Sequence, residues 1–345
     1  MNLKTLFSIV VALVCTAGIS PAFTQNVRAN GETLNVQTFP GATLSIHAII
    51  AEKKGFCKKY NFTCELRPIA NGTVALQSLI GKTVDVAMIG TEMIANAVAE
   101  GADLKEVSMP IPNVPQILVV RNDVAVPSVS QGYPAMIKDL KGLKVGVPAR
   151  GSQGEIWLTA MLKDAGLKAS DVTIVAVGGP ATAYTSLVAS KQVDAVVVFE
   201  PIKQLCVFEK KCKALLDLSH GEGPTVVKQV NGAAAPYVMR GETVKSQAML
   251  AAAFNAAMID AANWIHEPAN FDELLKILTP MLGYSDLPNY QEFLQMWLKA
   301  QLPQFSKDMK IDRKAVAATI NFYRDEAKLI RKPVTVEQIV WDAAP

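Results

Sequence analysis

The chain has little of what most enzymes and nucleic-acid binders use. Its 345 residues hold three histidines (His47, His220, His266) and five cysteines, and only 19% are charged. No stretch carries a block of one sign, whereas a nucleic-acid binder gathers its Lys and Arg on one face. No spacing of His, Cys, Asp and Glu matches a metal centre, and no G-x-S-x-G elbow appears. Neither G-x-G-x-x-G nor G-x-x-x-x-G-K-[ST] occurs, which excludes the common phosphate loops. No low-complexity linker interrupts the chain. These absences leave no catalytic residue, metal or cofactor to assign.

Half the residues are hydrophobic and the formal charge is +3, the balance of a globular chain. The length suits two medium domains better than one. The N-terminus reads as a processing signal: Lys4, then the apolar run "LFSIVVALVCTAGI", then the small residues Ser20-Pro21-Ala22. The run is short for a bilayer about 30 Å thick. Residues 1–22 are therefore expected to be a cleaved signal peptide and the rest an exported, soluble protein. Removing Lys4 leaves 33 basic residues against 31 acidic, a net of +2. Four cysteines remain in two close pairs, Cys57 with Cys64 and Cys206 with Cys212. In an exported chain two local disulfides are expected; four unpaired thiols are the alternative.

Two segments repeat each other. The first runs from the strand "LNVQTF" through the helix "LSIHAIIAEKKG" and strand "CELRPIA" to the helix "TVALQSLIGK" and strand "VDVAMIG". The second has "LKVGVPA", "EIWLTAMLKDAG", "VTIVAVG", "ATAYTSLVAS" and "VDAVVVFE" in the same order. Each reads β-α-β-α-β with strands apolar throughout, as parallel strands buried on both faces are. The expectation is an α/β protein of two doubly wound lobes around a ligand cleft, with lobe 1 at 32–120 and lobe 2 at 121–236. Residues 237–345 return to lobe 1 and continue as about five helices divided by prolines. The helix "AMLAAAFNAAMIDAANWI" is apolar nearly all round and is expected to pack on a lobe. The stretches "ILVVRNDV" and "APYVMRG" are the candidates for the two crossings between lobes.

Ligands of open parallel sheets bind beyond the carboxyl ends of the strands. Four small, hydroxyl-bearing turns lie there and open helices: Pro40-Gly41-Ala42-Thr43, Gly90-Thr91-Glu92, Gly151-Ser152-Gln153-Gly154, and Gly179 to Thr182. Helix N-termini carry a partial positive charge of about +0.5, so the set suits a small anion. Simple helix capping is the other reading of each turn, with Ser152 and Glu155 as a capping box. Arg150 could grip a carboxylate or sulfonate; a solvated loop arginine is the alternative. Glu92 and Glu200 follow strands at matching places, as ligand contacts or, the favoured reading, as rim. His47, alone on its helix, reads as structural.

The segments "IAEKKGF", "SLIGKTVDVAMIGTE", "DLKGLKVGVPARGSQGEIWLTAMLKDAGL" and "VDAVVVFEP" together resemble periplasmic substrate-binding proteins of ABC importers, in the nitrate/sulfonate/taurine and thiamine-precursor-like group. The likeness covers roughly residues 33–260. It implies a type II periplasmic binding fold that closes on a small anionic ligand and delivers it to an inner-membrane permease as a monomer. By analogy the four turns are its ligand contacts. Where that group often has Trp before a Glu-Pro pair, this chain has Phe199. The resemblance also leaves room for an enzyme on the same scaffold, such as a thiamine-pyrimidine synthase, whose cysteine-rich motif is missing here, and for a ligand-presenting sensor.

Overall fold

The computed structural model describes residues 27–345, so the expected signal peptide lies outside the described residues. Ten strands form two five-stranded sheets. In chain order they are β1 Thr33–Thr38, β2 Thr63–Pro68, β3 Val86–Met88, β4 Leu104–Ile111, β5 Ile117–Arg121, β6 Lys144–Val147, β7 Thr173–Ala176, β8 Ala195–Val198, β9 Cys212–Asp217 and β10 Ala235–Arg240. The first sheet has the order β2-β1-β3-β10-β4 and the second β7-β6-β8-β5-β9. Each repeat supplies three parallel strands, with Thr33 beside Thr63 in one and Lys144 beside Thr173 in the other.

The fourth position in each sheet is filled out of sequence order. β5 pairs antiparallel with β8 and β9, and β10 pairs antiparallel with β3 and β4. Both sheets are therefore mixed. β5 belongs to the second sheet, so the boundary expected at 120/121 moves back into the connection 112–116. The return crossing precedes β10, in 218–234. The stretches expected to cross are thus the strands reached just after each crossing. The two connections are tied together, because Gly232 N donates to Pro112 O at 2.7 Å and Val114 N to Asn231 Oδ1 at 2.9 Å.

The helix Ala248–His266 is long and apolar enough to cross a membrane by composition alone. Here it covers the first sheet: Phe254, Ala257, Met258 and Ala261 are fully buried, and Asn255 Nδ2 donates to Val107 O in β4. Its apolar girth is core packing. The helix Arg313–Asn321 then runs past the crossing, where a Cβ on Gly232 would meet Ala315 and Asp312 at 3.1 Å. Two disulfides, Cys57–Cys64 and Cys206–Cys212, close loops beside β2 and β9 with Cα separations of 6.0 and 4.7 Å.

Candidate functional site

The strand ends of both sheets face each other, and the turns that follow them make the walls between the lobes. After β1, Gly41 to Ser45 is wholly buried. Gly41 has φ 69°, and Tyr284 donates its hydroxyl to Gly41 O at 3.0 Å, so a C-terminal loop roofs this turn. Phe39 meets Phe199 edge-on at 5.5 Å; the two aromatics follow β1 and β8 in opposite lobes. After β6, the helix Gln153–Asp164 begins so close to the sheet that a Cβ on Gly154 would lie 2.6 Å from Val197 O. Only glycine allows that approach, and it brings the helix N-terminus to the strand ends.

A polar side chain also crosses the cleft. Gln153 Nε2 donates to Glu92 Oε2 at 3.2 Å and to Ala234 O at 3.3 Å, linking the second lobe to the first and to the return crossing. Two small voids lie between the lobes. The larger, about 40 Å³, is lined by Leu44, Gly90, Gln116, Ser152, Gln153 and Phe199 among others. The smaller, about 20 Å³, is bounded by Leu44, Pro115, Glu200 and Gln304. Each has room for little more than a water molecule or two, so a solute enters only when the lobes part.

The electrostatics of this wall are acidic. Among the described residues no Lys or Arg lines either void. Glu92 is buried in the first turn of the helix Thr91–Ala99, with Oε1 unpartnered, and burial pushes its carboxyl up to about 7. Glu200 is also buried; it accepts from the backbone and side-chain amides of Gln204, and burial again raises it to about 7. Both carboxyls are therefore buried and not on the rim; Glu200 lines the smaller void, and Glu92 reaches the cleft through Gln153. Behind Glu92, Glu106 on β4 is wholly buried with both oxygens unpartnered and is pushed up to about 8. The alternation of β4 gives no sign that this inward acid is unpaired.

The sequence-derived residues divide. Gly90, Ser152, Gln153 and Glu200 line the voids between the lobes; Gly41, Ala42, Thr43 and Thr91 line neither void, and the hydroxyls of Thr43 and Thr91 are buried without partners. Gly179 approaches the first lobe, since a Cβ there would lie 3.6 Å from Ala70 O. Thr182 is exposed and returns its hydroxyl to Gly179 O at 2.9 Å, a local cap rather than a cleft contact. Arg150 stands outside the cleft. Its side chain is 64% exposed, it pairs with Glu155 at 2.8 Å, and Gly151 beside it faces the same outer side. The capping box is altered too: Glu155 Oε2 takes the Gly151 N–H at 2.6 Å, and the Ser152 side chain makes no cap. The first-turn N–H groups of Gln153 to Glu155 thus stay free for another acceptor. Arg150→Ala is expected to change solute affinity less than twofold, measured by calorimetry; a tenfold loss would return the arginine to the site. His47 is a core residue, its Nε2 3.3 Å from Ser306 O, and burial lowers it to about 3.

Glycine-opened helix starts at the strand ends thus face each other across the gap between two lobes. A family model described as the NMT1-like family matches residues 30–279. The chain belongs to that family. The alkanesulfonate-binding protein SsuA of Xanthomonas axonopodis pv. citri, solved with MOPS, shares 18% identity and a TM-score of 0.69 over 91% of this chain and 99% of that one. The periplasmic nitrate-binding protein NrtA of Synechocystis PCC 6803 shares 17%, with a TM-score of 0.59 over 90% and 93%. These likenesses give the NMT1-like chain the periplasmic binding protein fold. A putative binding protein of Brucella abortus strain 2308 is 31% identical over 153 residues. That alignment covers 44% of this chain and 43% of the relative, less than half the length of each. All three are named as binding proteins, one for an alkanesulfonate and one for nitrate.

Proposed function

We propose that this protein is an exported receptor that captures a small solute between its lobes and hands it to the permease of an ABC importer, without catalysis. The observation that carries the reading is Gln153 of the second lobe hydrogen-bonded to Glu92 and Ala234 across the cleft. A solute that satisfies the same groups would hold the lobes together, and its extra affinity for the closed arrangement supplies the free energy of closure. A periplasmic location, reached through the signal peptide at residues 1–22, and action as a monomer belong to the same proposal.

Two solute classes compete. The small organic anion, a sulfonate or carboxylate, is favoured by the free first-turn N–H groups after Ser152. A solute bearing N–H donors, uncharged or cationic, is favoured by the carboxyls of Glu92 and Glu200, the unpartnered Gln116 Oε1 and the lack of any lining cation among the described residues. We favour the second, because an anion beside two carboxyls must keep both protonated. The pH dependence separates them. A donor solute favours the carboxylates, so its affinity rises as pH goes from about 6 to 8, through the raised values near 7. An anion requires the acids, so its affinity falls over the same interval. Calorimetry at both pH values with benzamide, benzamidine, benzoate and ethanesulfonate tests this. Saturable binding of the anions alone, weakening as pH rises, would overturn the donor reading; no binding by any solute in a broader panel of amines, amides and acids would count against the receptor itself.

A further inference from the structure

A cavity of about 640 Å³ lies away from the cleft, on the outer side of the helix Gln153–Asp164. Ser152 and Gln153 face the cleft from that helix start, whereas Arg150, Gly151 and Glu155 face the cavity. The opposite wall is the C-terminal segment from Phe322 to Leu329, and the floor comes from Pro224 to Gln229 in the return crossing.

Its shape has a local cause. The helix Arg313–Asn321 continues into five residues wound as π-helix, Phe322–Glu326. Such wider turns break the regular ladder and often mark functional places. Here the turn lays Phe322 flat on Trp157 of the second-lobe helix, with centroids 5.7 Å apart and planes within 10°, while Tyr323 meets the same indole edge-on. The stack holds the C-terminal segment one ring's depth from the helix. Beyond it, where no described side chain fills the gap, the cavity opens.

We infer that this cavity is a second small-molecule site, separate from the cleft, for an uncharged aromatic or otherwise amphipathic organic molecule. Its volume falls within the roughly 300–1,000 Å³ of ligand pockets, and three separate chain segments line it as a groove open to solvent along Thr159, Lys163 and Gln229. Ile156, Ala160, Val226 and Phe322 give apolar walls. The polar groups around it are mostly engaged: Arg150 pairs with Glu155, Lys163 donates to Glu326 O, and Asp164 accepts from Tyr133. Both lining cations are thus held by the wall itself, and the Glu326 carboxylate opposes an anionic ligand. The side chains of Thr225 and Gln229 make no hydrogen bond among the described residues, so they supply polar contacts at one edge.

The cavity and the cleft share the helix Gln153–Asp164 as a wall. An occupant packed between that helix and Phe322 braces the lobes in the arrangement in which Gln153 reaches Glu92. Binding at the two sites is therefore coupled, and the coupling is reciprocal.

Titration of the full exported chain with Nile red, a neutral aromatic dye whose emission rises in apolar surroundings, tests the site. One saturable site per chain is expected, at least tenfold weaker in Thr159→Trp and Ala160→Trp, which fill the cavity. Thr159 is exposed, so Thr159→Trp should melt like the parent. Val207→Trp, which adds an indole at an exposed position outside the cavity, should keep the dye. Absence of saturation, unchanged binding in both cavity tryptophan variants, or an equal loss in Val207→Trp would each overturn the inference.

Discussion

Glu106→Gln is expected to stabilise the protein at pH 8.5 and to change it little at pH 4.5. The carboxyl is wholly buried on β4, neither oxygen makes a hydrogen bond of normal geometry, and burial pushes it up to about 8. Glu92 nearby adds like-charge repulsion, while the Thr91 hydroxyl and the more distant Arg313 favour the charged form without cancelling the burial. The native state therefore holds a proton that the unfolded chain, with a value near 4.5, releases. Between about pH 4.5 and 8 the native form binds more protons, so stability falls as pH rises through that window. Every tenfold change in proton affinity corresponds to about 1.4 kcal/mol, and removing the carboxyl should return roughly 2–4 kcal/mol at pH 8.5. Glu92 and Glu200 share the sign, so the parent's melting temperature should fall from pH 6 to 8.5 more steeply than the variant's. A variant less stable than the parent at pH 8.5 would mean an ionised, paired carboxylate and would sink the account.

The second large effect concerns the cleft. Replacing both Glu92 and Glu200 by Gln is expected to weaken capture of an N–H donor solute by roughly 100-fold at pH 8. A hydrogen bond to a charged acceptor contributes about 1.5–3 kcal/mol, and two are removed. The same variant should bind ethanesulfonate or benzoate better than the parent, since two potential negative charges leave the wall. It should also lose the pH dependence of binding between 6 and 8. Calorimetry with benzamidine and benzoate on parent and variant reads all three outcomes. Undiminished benzamidine binding together with unimproved benzoate binding would remove the carboxyls from solute recognition. The hydrogen bond from Gln153 to Glu92 survives the exchange in kind, because a Gln carbonyl accepts as well, so lobe closure itself should persist.

Much of this architecture is legible in the residues. The apolar strands of the two repeats carry their own period, and near-continuous Val, Ile and Ala runs point to burial on both faces. The short loops between paired cysteines make both disulfides readable. Interrupting Asn and Asp residues mark the apolar helix at Ala248–His266 as packed on protein, and Asn255 indeed reaches β4. The turns after β1, β3 and β6 stand out because glycine and a hydroxyl open a helix at each strand end, a pattern that plain capping shares.

Placement across distance is what local reading misses. β5 and β10 have the same apolar look as their neighbours, and nothing local says that each inserts antiparallel into a sheet between strands far from it in sequence. Arg150 sits one residue from the cleft-facing turn, yet Gly151, with φ 72°, swings the chain so that the guanidinium pairs outside. Composition can count Glu92, Glu106 and Glu200 but not bury them, and it is burial that turns three ordinary carboxyls into groups that titrate near neutrality. The repeated α/β lobes, the paired cysteines and the glycine turns at the strand ends were thus written in the chain, because they follow from local periodicity and backbone chemistry. Which strand joins which sheet, where the charges face and the opening of a cavity behind Trp157 were settled by folding alone, because they depend on segments far apart in sequence sharing one interior.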